Sequence, residues 1–338
     1  MPGLIAAMGA ALPGCSTNSG TGARPAPIAS TSADEAGIGR AENPKVIAAF
    51  GGVYNDPALA AYVTNAGKRV AAYAGRPEVH FTFTVLDSPI VNAMAIPGGY
   101  VYVTRGLVAL CDNEAELAGV LGHEIGHIAA RHHARRQVRQ RRTGVGVGPL
   151  PGIVGRQIAR TGTIGALGFL RPSSREQEFE ADKLGARYMA EAGYQPAAMA
   201  AFLTKLRDYT FLETQLAGRP IQSSDRFDYL ATHPNTTERV QRALAEAQTF
   251  ETKNPLVGHT AWLERINGIL WGESPEQGYV RGRVFIHPML RIRFEAPPGF
   301  QLFDTVAQVF AIGPSHALII FDASAAPYQG SMPEYIRT

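Results

Sequence analysis

The chain has 338 residues, 45% of them hydrophobic and 18% charged, so it carries enough apolar material for a buried core. A formal net charge of +3 is too small to argue for a nucleic-acid partner across the whole surface. No apolar stretch reaches the ~20 residues that a bilayer-spanning helix needs, so no transmembrane helix is read.

Met1 to Gly14 is apolar and rich in small residues, and it ends Leu12-Pro13-Gly14-Cys15. That run resembles a bacterial lipobox, which implies that residues 1–15 are an export signal and that Cys15 carries a lipid anchor to a membrane. Ser16 after the cysteine implies the outer membrane. Cys111 is then left as a small buried apolar residue, and no disulfide is expected. Residues 16–42 are rich in Ser, Thr, Gly, Ala and Pro and read as a flexible tether.

A first domain is expected over residues 43–250. Val46 to Tyr73 reads as helical, interrupted near Asn55-Asp56-Pro57. His80 to Leu86 alternates as a strand does, Ile96-Pro97-Gly98-Gly99 is a turn, and Tyr100 to Thr104 is a second strand. A long helix follows. Asn113, with Glu116 three residues on, has capping-box spacing, and Leu117, Val120, Leu121, Ile125 and Ile128 recur at helical spacing to about Arg142. Thr143 to Leu170 holds eight glycines and no acid and reads as a mobile or loosely helical loop. A second helix starts at Ser173 or Ser174 and stops at Gly193, and Pro196 opens another to about Asp208. Beyond Pro255 the pattern changes. Tyr279–Ile286, Leu290–Phe294, Thr305–Phe310 and Ala317–Phe321 read as strands of a small α+β or β-rich domain covering 255–338.

The long helix contains His123-Glu124-Ile125-Gly126-His127, the pattern H-E-x-x-H. Residues four apart share a helix face, so both imidazoles reach one zinc ion. Glu124 lies beside that face and can take the proton of an attacking water as general base. A catalytic zinc needs a third protein ligand. His133 is one candidate, but on a continuous helix it points about 120° away from His127. With His132 and Arg131 to Arg142 it reads instead as a solvated basic helix end. No acid occurs between Glu124 and Glu176. Glu176 and Glu180 share a charged stripe with Lys183 and Arg187. Glu178 and Asp182 share a face with Ala181 and Gly185, small enough to let this helix approach the zinc helix. Glu178 is therefore the expected ligand, and Asp182 the group that orients a ligand histidine by hydrogen bond. The competing reading is an acidic pair on a surface.

H-E-I-G-H followed by S-R-E-Q-E-F-E-A-D-K-L-G resembles the gluzincin family that includes HtpX and the CAAX prenyl endopeptidases. Its E-x-x-x-D maps onto Glu178 and Asp182. Asn92 to Leu107, and Thr232-His233-Pro234 with Arg239 six residues after the histidine, resemble soluble periplasmic BepA-like members. The resemblance covers residues 43–248. It implies a mainly helical metallopeptidase domain with a small sheet, one zinc per chain, and proteins or peptides as substrates. The expected function is a zinc-dependent endopeptidase acting on envelope proteins in the periplasm, in quality control. The alternative is a periplasmic chaperone or assembly factor with little proteolysis. Gly99, Tyr100 and Val101 are expected to form a free sheet edge to which a peptide adds. His233 has two possible roles: donating to the developing oxyanion, or, as the resemblance implies, occupying the fourth zinc position at rest. Arg239 would stabilise the same charge or pair with an acid.

Overall fold

The computed structural model describes residues 31–143, 173–216, 233, 237–250, 252–304, 309–314, 317–321 and 330. The expected lipobox with Cys15 and the expected glycine-rich loop therefore lie outside the described residues, apart from Thr143.

Helix α1, Ser32–Ala49, opens on a capping box in which Thr31 and Asp34 exchange hydrogen bonds. The tether reading thus fails from residue 32 onward. Composition argued for disorder there, but Val46 and Phe50 bury against Leu86, Met94, Ile96 and Tyr102, and Tyr102 Oη donates to Asn43 Oδ1 at 2.7 Å. Helix α2, Pro57–Ala71, begins as its sequence dictates, with Asp56 capping and Pro57 at the first position. Leu59, Val63, Ala66 and Val70 form its buried stripe.

Three strands follow: β1 (Thr82–Leu86), β2 (Ala93–Ile96) and β3 (Tyr100–Thr104). Their order is β1-β3-β2, with β3 parallel to β1 and antiparallel to β2. The short run Ala-Met-Ala-Ile was not legible as a strand, because all four residues are buried and no alternation marks them. Gly98 and Gly99 turn the β2–β3 hairpin at φ of 88° and 92°. A Cβ on Gly99 would lie 2.4 Å from the His80 carbonyl oxygen, so the position requires glycine.

Short helix α3 (Arg105–Leu110) leads to the central helix α4, Glu114–Ala129, capped by Asn113 Oδ1 on the Glu116 amide. The helix ends well before Arg142. Arg131 takes φ of 55° and breaks it, and α5 (His132–Thr143) sets off separately. Helices α6 (Arg175–Glu191), α7 (Ala197–Leu216) and α8 (Thr237–Ala247) complete the described part of the bundle. Ser174 and Gln177 form the capping box of α6, and Gly193 at φ of 82° follows its end. Helix α4 packs between α2 and the sheet on one side and α6 and α7 on the other.

The domain boundary expected near residue 250 also moves. Helix α9 (His259–Ile266) inserts Trp262, fully buried, into the main core, where its Nε1 donates to the Cys111 carbonyl at 2.7 Å. Arg105, buried beside Asp87, donates to the carbonyls of Leu270 and Gly272. The helical domain therefore extends past residue 266. After it come two antiparallel three-stranded sheets: β4 (Tyr279–Arg281), β5 (Val284–His287) and β6 (Ile292–Glu295), then β7 (Gln301–Asp304), β8 (Val309–Ile312) and β9 (Leu318–Phe321). Phe285, Ala296, Leu302, Val309 and Ala311 form their own small core. The architecture is α+β, mainly helical, with a small β-rich end.

Candidate metal centre

Helix α4 presents His123, Glu124 and His127, and α6 crosses it closely enough to add Glu178 and Asp182. Glycine permits that approach. A Cβ on Gly185 would lie 2.8 Å from the His123 amide nitrogen, and one on Gly126 would lie 2.9 Å from the Ala181 carbonyl oxygen. The small-residue face of α6 thus meets the histidine face of α4. His233 arrives from the segment before α8, and Arg239 from the first turn of α8.

Four donors converge among the described residues: His123, His127, Glu178 and His233, all buried, with their ligand atoms within 4.8 Å of one another. His127 Nε2 lies 3.0 Å from His123 Nε2, and His233 Nδ1 lies 3.1 Å from His123 Nε2. The Glu178 oxygens lie 3.4 Å from His123 Nε2, 3.4 Å from His127 Nε2 and 3.1 Å from His233 Nδ1. Ligands on a tetrahedral zinc at about 2.0–2.1 Å would stand about 3.3 Å apart, so both the spacing and the donor types fit that ion. Glu124 sits beside the cluster without belonging to it. Its Oε1 makes no hydrogen bond and lies 3.4 Å from His233 Nε2.

The outer nitrogens are held as well. His123 Nδ1 lies 2.8 Å from Asp182 Oδ1. Arg239 grips Asp182 through Nε at 2.8 Å and Nη2 at 2.7 Å, and reaches Glu178 Oε2 at 3.0 Å. Its side chain is 1% exposed and also donates to the His233 carbonyl. Arg239 is therefore paired with the carboxylates of Asp182 and Glu178 and with the His233 backbone.

Burial sets the electrostatics. It would lower His123, but hydrogen bonds to Asp182 and Glu178 outweigh it and carry the group up to about 9 in the metal-free chain. Burial dominates for His127, which falls well below the usual imidazole range. Burial also lifts Glu124 above the ordinary carboxylate range. It would lift Glu178 too, but the imidazole of His233 beside it, together with those of His123 and His127, holds that carboxyl well below its usual range. Asp182 likewise resists burial because Arg239 and His123 keep it ionised and low.

Two sequence expectations need correction. Tyr100 and Val101 are not on a free edge, because β3 is the central strand and both its sides are paired. Gly99, just before it, gives its carbonyl to the Thr82 amide. The outer side of β2 carries no strand among the described residues. His132 is not on a solvated helix end either; it is fully buried and contacts His127. Its signal was hidden because the chain reversal at Arg131 follows from no glycine or proline in the sequence.

A model of peptidase family M48 matches residues 57–247, more than half of the chain. The chain is 34% identical over 208 residues to a putative beta-barrel assembly-enhancing protease of Vibrio cholerae, covering 59% of this chain and 41% of that protein. It is 32% identical over 199 residues to the beta-barrel assembly-enhancing protease of Escherichia coli K12, covering 56% and 39%. It is 29% identical over 219 residues to the mitochondrial metalloendopeptidase OMA1 of Schizosaccharomyces pombe, covering 62% and 60%. The chain thus spans about two fifths of the length of the two bacterial relatives.

Proposed function

Because this chain belongs to peptidase family M48, we propose that it is a zinc-dependent endopeptidase with His123, His127 and Glu178 as metal ligands and Glu124 as general base. The observation that carries this reading is the buried set of three imidazoles and one carboxylate at zinc-ligand spacing, with Glu124 Oε1, which makes no hydrogen bond, next to it. A zinc ion held there would polarise a peptide carbonyl and make water a competent nucleophile near neutral pH. Glu124 takes the proton of the attacking water and returns it to the leaving amine. Asp182, itself clamped by Arg239, keeps the Nδ1 proton of His123 pointed away from the cluster and so leaves Nε2 as a bare donor.

The test is metal analysis together with cleavage of an unfolded protein such as casein, with and without chelator. One zinc per chain and chelator-sensitive cleavage are the expected results, and Glu178→Ala should lose both. Chelator-insensitive cleavage, or a wild-type chain without metal, would overturn the reading. Bound zinc and client binding without cleavage would point to a chaperone instead.

Substrates are envelope proteins handled in quality control, and an extended segment adds to the sheet at the outer edge of β2. Ladder bonds alternate along an antiparallel pair. The Thr104 amide bonds to the Asn92 carbonyl, so the main-chain groups of Ala93 and Ala95 point outward. The His133 ring is hydrogen-bonded to the Ala95 backbone on that side. Ala95→Pro removes one outward N–H without breaking a β2–β3 bond, and it is expected to raise KM with little change in kcat. An unchanged KM in a folded variant would sink the edge assignment.

His233 acts as a gate at the fourth metal position. The approach of its Nδ1 to His123 Nε2 and Glu178 supports that role over oxyanion binding. His233→Ala is expected to raise basal proteolysis; a fall in kcat would favour the oxyanion role, and no change would remove both. Location in the periplasm, with a lipid at Cys15 anchoring the chain to the outer membrane, rests on the lipobox reading. No described helix is long and apolar enough to cross a membrane. Uptake of labelled fatty acid, abolished by Cys15→Ala, tests the anchor.

A further inference from the structure

His132 stands immediately after the break in the metal helix, with its ring turned back onto His127. Its Nδ1 lies 2.8 Å from His127 Nδ1, and its Nε2 lies 3.1 Å from Glu180 Oε2. Arg135 Nη1 holds the same Glu180 oxygen at 2.9 Å. Two facing ring nitrogens share one proton, so one of them must donate and the other accept. If His132 Nδ1 donated, the His127 proton would sit on Nε2, facing the metal donors, and a bare His132 Nε2 would face a carboxylate. The opposite assignment satisfies both contacts of His132 and leaves His127 Nε2 without a proton toward the metal donors. His127 Nδ1–H donates to His132 Nδ1, and His132 Nε2–H donates to Glu180.

We propose that His132 is a positioning residue for the metal: it fixes the ring and tautomer of His127 and ties them, through Glu180 and Arg135, to helix α6. The inference rests on the metal reading above and deepens it. It gives His127 the kind of support that Asp182 gives His123. Asp182 reaches His123 from α6 directly, whereas His132 opens α5 and is tied to α6 through Glu180, so Glu178, Glu180 and Asp182 on one helix bear on both histidines of α4. A hydrogen-bond partner of this kind stiffens a ligand ring and raises its basicity toward the ion.

The local structure makes the contact possible. The positive φ of Arg131 redirects the chain after α4, so residue 132 does not continue the helical path that would carry it away from His127. The Arg131 guanidinium is held by Glu35 of α1 at 2.8 and 2.9 Å, and the Gln177 amide donates to the His132 carbonyl at 3.3 Å. Arg76 Nη1 meanwhile takes the carbonyls of Ile128 and Ala129 at the end of α4. The bend is thus anchored from α1, α6 and the segment after α2.

The experiment titrates zinc into the metal-free full chain against a chromophoric chelator, with circular dichroism as the folding control. His132→Leu keeps the volume but removes the acceptor, and it is expected to weaken zinc binding about 10- to 100-fold. His132→Asn, whose side-chain oxygen falls near the place of Nδ1, should recover most of the loss. Glu180→Gln, at a half-exposed site, should show a smaller loss of affinity. Unchanged zinc affinity in a folded His132→Leu chain, even with a lower melting temperature, would overturn the proposal and leave the metal site standing. If His132→Leu does not fold, unchanged affinity in Glu180→Gln overturns it instead. A wild-type chain that binds no zinc would overturn the underlying metal reading.

Discussion

Glu124→Gln is expected to keep its full complement of metal and to lose about 10²–10⁴-fold in kcat, the range that a positioned general base contributes. Glutamine matches the carboxylate in size but cannot take a proton. The metal donors are other side chains, so their arrangement is unaffected. Loss of fold would not explain the result. Glu124 is buried, and its ionised form is disfavoured, so its pKa is raised. A carboxyl of that kind detracts from stability once the pH exceeds the ordinary glutamate range. A neutral amide removes that cost, and the metal-free variant should melt no lower than wild type at neutral pH. Single-turnover cleavage of an unfolded protein, with metal content measured on the same sample, decides the matter. A metal-loaded variant that retains activity would remove Glu124 as the base.

Arg239→Met is expected to destabilise the metal-free chain by about 3–5 kcal/mol, the range for removing one partner of a buried charge pair. The guanidinium is 1% exposed and serves two buried carboxylates, Asp182 and Glu178. Methionine leaves both without their cation. The pH dependence has a definite sign. Arg239 and His123 hold Asp182 below its usual pKa against the effect of burial, so its ionised form stabilises the native state above about pH 4. That contribution disappears as the pH falls through the depressed native value. The deficit of the variant should therefore be complete at pH 7 and shrink in acid. Urea unfolding at both pH values measures it, and a deficit below about 1 kcal/mol at pH 7 would show that the pair contributes little to stability. Zinc affinity should fall as well, because Asp182 would no longer be fixed against His123.

The same residues show which information is local. H-E-x-x-H could be read because four-residue spacing on a helix places two side chains on one face whatever the rest of the chain does. Glu178 and Asp182 were legible for the same reason, helped by Ala181 and Gly185 on their face. The capping signals of α2, α4 and α6 were equally local. By itself, then, the sequence determined the two histidines on one helix face, the acid beside them, the Glu178–Asp182 face that packs against them, and a β-rich segment at the end. Only the tertiary structure decided the rest. The order of α1 depends on partners in β2 and β3, about fifty residues away. Whether Tyr100–Thr104 is an edge depends on Ala93–Ile96, whose uniform burial erased its alternation. The place of Trp262 depends on its contacts with the Cys111 carbonyl and the Tyr62 ring. The role of His132 depends on a bend held by Glu35, Arg76 and Gln177. Each of these outcomes is a matter of pairing between distant segments, and helical and strand periodicities, being properties of near neighbours, carry no record of it.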